Sequence, residues 1–585
     1  MSAQSSIIDW LDRARRISAR DAFDRYVFQG LLIGPLNRQE VLVDEATASN
    51  LSHTLARWVR EAPATDALGQ TRLLAARRPL RSLVLGFGQS PDFFLRAALS
   101  LRDQDVSQPN KLPNWKLIKL AILGDAWVWT PTSLDVAHTV NPELARVAAI
   151  AALDVCPLDT ELLSRTSAIG NWLIEKQPID LANHYLQLLQ DSSFFVSYLV
   201  DSRRHIFKRA MVRQAAHLIR SSQLARTTTQ TTPTRPRLTI VGELLFPEHA
   251  MFRCYAEALS TLTELFDVTL IADEFTRCAA HSLISHKQQY FPPDERDVGR
   301  LAALLLSSNP DIVLYPSVGM SYWTFALSLL RLAPLQLMSV GHPAPACSEM
   351  IDGVLLYSEL ASGDLPEYGR LIPYDRQPLP VVPARTPRSS TSNEVRPPVV
   401  AVNAAGIKLN PQFLEAVYQI MQRAPVGTEL HFFPNAVGGE LLALRRELGK
   451  RFPHAEVHSR ATYTHYIETL SRADLILQSF PFGGTNTVMD ALSLGIPMLC
   501  LRGEDLPSRV DPLILRHAGL DELCVDDMDG YVSKALNLLT NPMERSRIAK
   551  RSSTAFASLT VQQQHSGSTS LAEAILGFWN GHWSK

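Results

Sequence analysis

The stretch 480–495, FPFGGTNTVMDALSLG, constrains the fold of this chain more than any other segment. The apolar runs 473–478 before it and 497–501 after it both have the composition of buried strands. A pair of glycines turns the chain from the first strand into a helix that begins near Thr485. The segment therefore predicts a strand–turn–helix–strand unit whose helix N-terminus lies at the edge of a parallel sheet.

The start of this helix is a candidate phosphate site. The N–H groups of a helix N-terminus and the positive end of the helix dipole favour an anion, and Gly484 and Thr485 lie there. Asn486 and Asp490 are four residues apart and share one helix face. An amide near the phosphates and a carboxylate one turn further on suit the diphosphate and the ribose of a nucleotide. The alternative is an ordinary capped helix with a surface carboxylate, and the apolar turn argues against it.

Composition limits the class of protein. A length of 585 residues predicts about three domains, and 46% apolar with 20% charged residues is typical of a globular protein. A formal net charge of -1 provides no overall field toward nucleic acid or an anionic membrane, so neither is expected as a partner. The N-terminus lacks a secretory signal pattern, and no apolar run reaches the roughly 18 residues of a membrane span. Six scattered cysteines without a CxxC pair favour core thiols in a reducing cytoplasm, the expected location.

Residues 1–225 are predicted to form an all-α domain. Apolar residues recur at helical spacing, for example over 143–153 and 179–189. No repeat at a fixed period supports a regular solenoid. The segment 86–91, GFGQSP, opens like a dinucleotide-binding fingerprint but lacks the third glycine, so a plain turn is the better interpretation.

Beyond a polar linker at 227–236, strands and helices alternate, and a proline-rich break at 376–398 divides them into two sets. This pattern predicts two doubly wound parallel-sheet domains that face one another, at 236–385 and 396–585. Ligands of such sheets lie at the carboxyl ends of the strands, here in the cleft between the domains. The predicted strands are 238–242, 268–272, 312–315, 335–338, 354–356, 399–402, 430–433, 457–458, 475–477 and 498–500.

Several polar residues follow predicted strands. Lys408 comes after the first strand of the second set, just before the helix cap Asn410 and the first-turn residue Pro411. A cation there can neutralise a leaving diphosphate, and the alternative is a surface lysine. The DxD spacing of Asp527 and Asp529 is better explained by helix capping than by metal binding. No pair of metal-ligand carboxylates stands out in these loops, so no metal is expected.

Three aromatic or imidazole side chains are further candidates. His342 lies on a tight Gly/Pro turn after a strand, and His249 begins the first helix of the first set. Each either contacts a ligand in the cleft or has a structural role. Tyr463 opens the helix after strand 457–458, where it either stacks on a base or packs in the core.

Together these motifs resemble the bacterial cytoplasmic N-glycosyltransferases that modify high-molecular-weight adhesins, relatives of eukaryotic O-GlcNAc transferase. The similarity runs in order over about residues 195–560, while the helical N-terminal third is similar mainly in kind. The segments that carry it are 316–317, 319–320, 331–334, 341–344 (GHPA), 407–411 (IKLNP), 480–483 (FPFG), 485–486 and Asp490.

The resemblance implies a GT-B fold, with two facing doubly wound Rossmann-like domains preceded by an all-α domain. Residues 236–385 would form the acceptor side and 396–585 the UDP-sugar side, with C-terminal helices. The implied reaction is an inverting, metal-independent transfer of a hexose, usually glucose from UDP-glucose, to asparagine in Asn-X-Ser/Thr. No cofactor is implied besides the UDP-sugar donor. The implied acceptor is a protein or peptide, such as a secreted adhesin before export.

The family's donor residues have counterparts here. The resemblance implies that Lys408 contacts the diphosphate and that Thr485 and Asn486 cap it next to Gly484. It also implies that Asp490 holds the ribose hydroxyls.

Other counterparts lie by the base or the reacting sugar. The resemblance implies that Tyr463 and His458 lie by the nucleotide and that His249 lies near the sugar and the departing phosphate. His205 and His342 match positions on the acceptor side, which makes them further catalytic candidates.

The chain also departs from the family pattern. The family has His-Asp in the helical segment that approaches the acceptor, whereas here Ile206 follows His205. Leu244 stands where the family has a further histidine, and a glutamine near the sugar is replaced around Val437. Three hypotheses remain: protein N-glucosylation, a GT-B enzyme for a Ser/Thr hydroxyl or a glycan, and a weakened UDP-sugar-binding protein. The retained Lys408 argues against the third, and Ile206 keeps the second open.

Overall fold

The computed structural model describes residues 3–32, 36, 44–220, 235–247, 249–277, 287–375, 382, 396–562 and 570–583. The chain divides into two compact units. The first unit is formed by Met1–Met211 and Val399–Tyr466, and the second by Val212–Pro398 and Ile467–Lys585.

Helices dominate the described part of the first 220 residues, where no strand occurs. Asp and Asn side chains fix several helix starts, as when Asp44 Oδ1 accepts a hydrogen bond from the N–H of Thr47 at 2.7 Å. The helices are α1 (Ala3–Arg16), α2 (Arg20–Leu32), α3 (Glu45–Glu61), α4 (Ala67–Gly86), α5 (Pro91–Leu99), α6 (Asp103–Ser107), α7 (Asn114–Leu123), α8 (Pro131–Val140), α9 (Pro142–Ala152), α10 (Thr160–Ile174), α11 (Leu186–Val196) and α12 (Arg204–Arg220).

The second unit contains a seven-stranded parallel sheet with the strand order β3-β2-β1-β4-β5-β6-β7. Leu238 of the central strand lies opposite Val268 on one side and Ile312 on the other. All three side chains are buried, as expected for a parallel sheet covered on both faces. The elements are β1 (Arg237–Val241), α13 (Ala250–Ser260), β2 (Asp267–Asp273), β3 (Lys287–Phe291), α14 (Val298–Ser307), β4 (Ile312–Tyr315), α15 (Tyr322–Ser328), β5 (Leu335–Ser339), β6 (Gly353–Tyr357) and β7 (Leu371–Tyr374).

A second set of parallel strands begins in the first unit, where β9 pairs with both β8 and β10. Helix α4 packs on helix α17 at two glycines. A Cβ at Gly86 would lie 2.7 Å from Leu442 Cγ, and a Cβ at Gly439 would lie 2.9 Å from Leu83 Cγ, so the two helices approach too closely for larger residues. The elements are β8 (Val399–Val402), α16 (Pro411–Arg423), β9 (Glu429–Phe432), α17 (Gly438–Arg451), β10 (Glu456–Val457) and α18 (Tyr463–Leu470).

The remaining strands of this set belong to the second unit, where β12 pairs in parallel with β11 and β13. The last helix contributes Ile575 and Trp579 to the core of the seven-stranded sheet. The predicted α/β fold class, with two Rossmann-like sets of parallel strands after a helical region, is confirmed. The elements are β11 (Leu475–Leu477), α19 (Thr485–Leu494), β12 (Met498–Leu501), α20 (Leu506–His517), β13 (Cys524–Val525), α21 (Met528–Thr540), α22 (Pro542–Gln562) and α23 (Leu571–Trp583).

The predicted helix over 179–189 is wrong in its first half, where residues 179–182 are not helical and a 3₁₀ turn occupies Asn183–Tyr185. The backbone N–H of Ala182 donates to Glu143 Oε1 at 3.2 Å, a tertiary contact that holds this segment outside a helix. The sequence patterns also missed β3, which is largely polar, β7, which carries a proline at the sheet edge, and the two-residue β13. Most of 227–236 and 376–398 lies outside the described residues.

Two further findings concern the cysteines and the apolar character of the helices. Five of the six cysteines lie in the described ranges and all five are free thiols there, while Cys278 lies outside them. None of the helices in these ranges combines the length and the apolar character needed to cross a bilayer.

Candidate active site

The turn before α19 is held by a buried carboxylate. Asp511 Oδ2 accepts hydrogen bonds from the N–H of Gly484 at 2.7 Å and from Gln478 Nε2 at 2.6 Å. A Cβ at Gly483 would lie 2.7 Å from Asp511 Cγ, so only glycine fits between the turn and this side chain. Asp511 was not among the predicted site residues, because it lies on α20 and reaches the turn only through the tertiary fold.

The first N–H groups of α19 remain directed beyond the helix. Gly484 is the N-cap and provides no side-chain cap. No acceptor in the described part of the chain takes the backbone N–H of Thr485 or Asn486. Unpaired N–H groups at the positive end of a helix dipole are suited to a phosphate oxygen. The helix start predicted near Thr485 is confirmed.

Asn486 is anchored on one side only. Its Nδ2 donates to Sγ of Cys254 at 3.3 Å, while Oδ1 is buried and has no hydrogen-bond partner among the described residues. Leaving a buried polar atom unpaired costs about 1–3 kcal/mol. A ligand that donates a hydrogen bond to this oxygen would remove the penalty.

Asp490 lies one turn further along α19 and is paired with an arginine. Arg253 Nη2, on α13, donates to Asp490 Oδ1 at 2.8 Å. The Asp490 side chain is only 3% exposed. The alternative of a surface carboxylate is therefore wrong, because neighbouring helices cover this face of α19.

His249 caps α13. Its Nδ1 accepts from the N–H of Met251 at 3.2 Å, and its ring lies 5.2 Å from that of Phe246. Burial lowers the pKa of His249 to about 4, so the ring is neutral at pH 7. Capping gives this histidine a structural role, and a neutral ring can also exchange a hydrogen bond with a ligand. Leu244, the departure noted above, has a positive φ of 56°.

His342 is buried at the carboxyl end of β5. It is 2% exposed, and its backbone N–H donates to Ser317 Oγ at 3.0 Å. Gly341 before it donates to the carbonyl of Pro316 at 3.1 Å. The tight turn expected from the Gly/Pro sequence is held by the neighbouring loop after β4.

In the first unit, Lys408 lies in a short 3₁₀ turn after β8 and is half-buried. Asn410 Oδ1 accepts from the N–H of Phe413 at 3.0 Å, and Pro411 is the first residue of α16. The predicted cap is confirmed, and it fixes the backbone next to Lys408. Likewise, Asp527 Oδ1 accepts from the N–H of Gly530 at 2.7 Å, so the DxD motif begins a helix as predicted.

An aromatic set lies where β9 and β10 end. The rings of Phe433 and His458 are stacked with centroids 4.5 Å apart and planes at 17°. Tyr466 lies 6.0 Å from Phe433 and 6.0 Å from Tyr463, and its hydroxyl accepts from Asn403 Nδ2 at 2.6 Å. This grouping of rings with one amide is suited to a planar heterocycle. Burial, the largest effect, lowers the pKa of His458.

His205 is the second residue of the basic helix α12 and lies in its first turn. Burial, followed by the charges of Arg204, Lys208 and Arg209, lowers the pKa of His205 to about 3. The ring is therefore neutral at pH 7. Ile206 beside it is 46% exposed, which is unusual for a large aliphatic side chain on a charged helix.

Residues 399–564 match the family model of glycosyl transferase family 41. This segment therefore resembles the glycosyltransferases of family 41. The resemblance to the adhesin-modifying N-glycosyltransferases is confirmed by relatives in Actinobacillus pleuropneumoniae. The glycosyltransferase is 25% identical over 501 residues to the UDP-glucose:protein N-beta-glucosyltransferase of serotype 5b (strain L20), which covers 82% of this chain and 80% of the relative. It is 31% identical over 246 residues to the protein of the same name from serotype 7 (strain AP76), and this alignment covers 41% of this chain and 40% of the relative.

More distant similarity points the same way. A 139-residue stretch is 24% identical to the probable UDP-N-acetylglucosamine–peptide N-acetylglucosaminyltransferase SPINDLY of Solanum lycopersicum, covering 23% of the glycosyltransferase and 15% of that protein. The solved structure of a Thermobaculum terrenum O-GlcNAc transferase mutant superposes with a TM-score of 0.55 at 18% identity, covering 93% and 98% of the two chains. This likeness shows the fold alone and agrees with the expected GT-B architecture.

Sequence reasoning missed several neighbours of the site residues. Arg253 lies four residues after His249. Helix periodicity puts the two residues on one face, so this spacing was a signal that could have identified Arg253. Phe433 and Tyr466 carried a weaker signal, as aromatic residues at the end of a strand and on the first turn of a helix. Asn403 directly follows β8, at the strand end where ligand contacts are expected.

Proposed function

We propose that this glycosyltransferase moves glucose from UDP-glucose to the side-chain nitrogen of asparagine in Asn-X-Ser/Thr of an acceptor protein. The observation that carries the proposal is the relationship to a protein N-β-glucosyltransferase over 82% of this chain and 80% of that relative. The geometry of α19 adds physical support, since its first N–H groups and Asn486 Oδ1 offer unfilled hydrogen-bonding positions.

For the donor, we assign the diphosphate to the N-terminus of α19 and to Lys408, and the ribose to Asp490. Thr485 and Asn486 provide N–H groups for phosphate oxygens. Arg253 donates to one oxygen of Asp490, which fixes the position of the carboxylate.

For the base, the aromatic set at the ends of β9 and β10 is the proposed position. Stacking of the uracil on a ring of this set contributes about 1–3 kcal/mol. His458 is already fixed by its stacking on Phe433, and Tyr463 and Tyr466 lie on one helix next to them. Asn403 adds an amide that can read the edge of a pyrimidine ring.

The proposed chemistry is a single displacement with inversion at the sugar. The amide nitrogen of asparagine forms a bond to C1 of glucose, the bond from C1 to the β-phosphate oxygen breaks, and UDP leaves with the electron pair. The amide proton is lost to a base. Preorganised donors aimed at the developing phosphate charge contribute about 3–4 kcal/mol each. Lys408 and the N-terminus of α19 supply such donors, which is why we propose that no divalent metal takes part in transfer.

Three histidines are proposed around the sugar and the acceptor. His249 and His205 are neutral at pH 7 because their pKa values are lowered to about 4 and about 3. A neutral His205 can accept a hydrogen bond from an amide or a hydroxyl. Nδ1 of His249 already accepts from the N–H of Met251, so its Nε2–H is a donor, suited to an oxygen of the sugar or of the departing phosphate. His342 is proposed to position the loop after β5, because it is almost fully buried.

A second acceptor class is favoured by one observation. Ile206 is exposed where the family has an acidic residue that would orient the acceptor amide. A Ser/Thr hydroxyl or a glycan needs no such carboxylate on the amide, so transfer to oxygen is the alternative. A weakened protein that binds the UDP-sugar without transfer is the third possibility.

Intact mass spectrometry distinguishes these outcomes. The full chain is incubated with an Asn-X-Thr peptide in three parallel reactions, each containing one donor: UDP-glucose, UDP-galactose or UDP-N-acetylglucosamine. One added hexose from UDP-glucose is expected, and an Asn→Gln peptide should remain unmodified. Modification of the Gln peptide, or of a Ser/Thr peptide alone, would move the reaction to oxygen.

Restoring the missing carboxylate sharpens the test. Ile206→Asp should increase transfer to the Asn-X-Thr peptide if a weakened amide orientation limits the rate. Val140→Asp is the matched control, because Val140 is also exposed in the helical region, at 55%. No asparagine product from either the parent or Ile206→Asp, with UDP still bound, would overturn asparagine as the acceptor.

A further inference from the structure

Four ionisable side chains gather on one face of the β9–β10 edge. Along β9, Glu429 and His431 alternate with buried Leu430 and Phe432. Because side chains two residues apart lie on the same face of a strand, Glu429 and His431 point the same way. In the parallel register His431 lies opposite Glu456, which precedes His458 by two residues.

The side chains are close enough to share an ion. His431 Nδ1 and His458 Nε2 are 2.9 Å apart, and one oxygen of Glu456 lies 3.7 Å from His431 Nδ1. In a tetrahedral zinc site with bonds of about 2.1 Å, neighbouring donor atoms are about 3.4 Å apart. The observed separations lie on either side of this value. The Glu456 side chain is 62% exposed, so small rotations can adjust it.

The hydrogen bonds of the cluster direct one lone pair of His431 toward His458. His431 Nε2 lies 3.2 Å from a carboxylate oxygen of Glu429 and is the N–H side of this ring. Its Nδ1 therefore carries a lone pair, which faces His458 Nε2 at 2.9 Å. His458 Nδ1 lies 3.4 Å from an oxygen of Glu456, an ion-pair distance. A metal ion can take the place of the hydrogen between the two ring nitrogens, with the Glu456 carboxylate beside it.

We propose that His431, His458 and Glu456 bind a divalent transition metal, with zinc as the best fit. The ion takes the place of the hydrogen between His431 Nδ1 and His458 Nε2, binds one oxygen of Glu456, and leaves a fourth position for water. Two imidazoles with one carboxylate are a donor set that zinc accepts. Glu429 accepts the N–H on the far side of the His431 ring, which fixes its tautomer as carboxylates do around metal-bound histidines.

The metal has a structural consequence at this edge. Strand β10 has only two residues, and it pairs with β9 through His431 and Phe432. An ion bound from both strands cross-links this short edge and fixes the ring of His458, which also stacks on Phe433. The spacing of residues along the chain does not reveal this site, because its ligands come from two strands and depend on their register.

Metal binding can be measured without donor or acceptor. The full chain is stripped with a chelator, exchanged into metal-free buffer, and titrated with zinc in a calorimeter and with cobalt(II) in a spectrophotometer. One ion per chain, tetrahedral cobalt absorption and an increase in the thermal midpoint on adding zinc are expected. His431→Ala should remove this binding, and Glu429→Gln should weaken it about 10- to 100-fold.

His454→Ala is the matched control, because His454 is exposed and lies two residues before Glu456. It should bind zinc like the parent, which separates the site from general histidine binding. Glu429→Gln changes a 61% exposed side chain, so folding should be preserved even if His431→Ala is unstable. If the stripped parent binds no zinc or cobalt, or if Glu429→Gln and His431→Ala bind like the parent, the metal site is wrong. A shared proton between the two rings would then explain the contact.

Discussion

Arg253 and Asp490 are 237 residues apart in the sequence, yet Nη2 of the arginine donates to Oδ1 of the carboxylate at 2.8 Å. Their side chains are 13% and 3% exposed. The pair links α13, which follows the first strand of the seven-stranded sheet, to α19. It brings a cation to the carboxylate that we assign to the donor ribose.

Removing the cation should destabilise the second unit. Arg253→Met leaves the buried Asp490 without this partner, and breaking a buried ion pair from one side costs about 3–5 kcal/mol. Calorimetric unfolding should show a lower midpoint for Arg253→Met than for the parent. The double variant Arg253→Met/Asp490→Asn should recover part of the loss, because no uncompensated charge remains. Additive losses in the double variant would contradict the pairing.

Asp490→Asn should weaken UDP binding. Hydrogen bonds to a charged group contribute about 1.5–3 kcal/mol, which corresponds to a decrease in affinity of roughly 10- to 150-fold. Calorimetry with UDP measures the change. Asp527→Asn is the control, since Asp527 caps α21 and should not alter UDP affinity. Equal UDP affinity of Asp490→Asn and the parent would show that the ribose lies elsewhere.

Lys408→Met should reduce transfer much more than stability. Losing the positive charge of the lysine beside the departing diphosphate costs about 3–4 kcal/mol of transition-state stabilisation, or roughly 100- to 1,000-fold in rate. The half-buried methylene stem is largely retained in methionine, so the thermal midpoint should change little. Lys450→Met is the control, because Lys450 is exposed on α17 and forms a surface ion pair with Glu447. Equal rates for Lys408→Met and Lys450→Met would contradict the assignment.

Stability should decrease in mildly acidic solution through His249. Burial lowers its pKa from 6.5 in the unfolded chain to about 4 in the folded chain, so the unfolded chain binds the proton first as pH falls. The stabilisation is therefore complete above pH 6.5 and is lost between about 6.5 and about 4, by at most about 3 kcal/mol.

The variant His249→Asn tests this pH dependence. Asparagine is a good N-cap, so helix α13 should still begin at the same residue, but no titrating ring remains. Thermal midpoints measured from pH 7.5 to pH 4 should fall less steeply for His249→Asn than for the parent. Parallel curves for the two proteins would place the acid sensitivity at other groups.

Transfer should proceed without added Mg²⁺ or Mn²⁺ and in excess EDTA. Lys408 and the N-terminus of α19 are proposed to supply the positive charge that a metal supplies elsewhere. The measurement is the initial rate with UDP-glucose and the Asn-X-Thr peptide. The same comparison in His431→Ala separates this question from the proposed zinc site. A large loss on chelation in both proteins would contradict metal-independent transfer.

Local signals in the sequence predicted much of the fold correctly. The cap and first turn at Asn410 and Pro411, the cap at Asp527 and the start of α19 near Thr485 depend on residues within a few positions of one another. Buried parallel strands such as 312–315 and 399–402 are nearly continuous apolar runs, which the chain shows directly. The weakly apolar edge strands and the delayed start of α11 lacked such local signals.

The tertiary structure decided the environments of the site residues. Only the packing of α13 on α19 reveals that Asp490 is buried and paired with Arg253. Only α20 brings Asp511 under the turn at Gly484, and only the register of β9 and β10 brings His431 to His458. The physical reason is the separation along the chain of the residues that interact. Helix caps and apolar runs depend on neighbouring residues. Burial, charge pairing and contacts between side chains of different strands depend on segments that are tens to hundreds of positions apart.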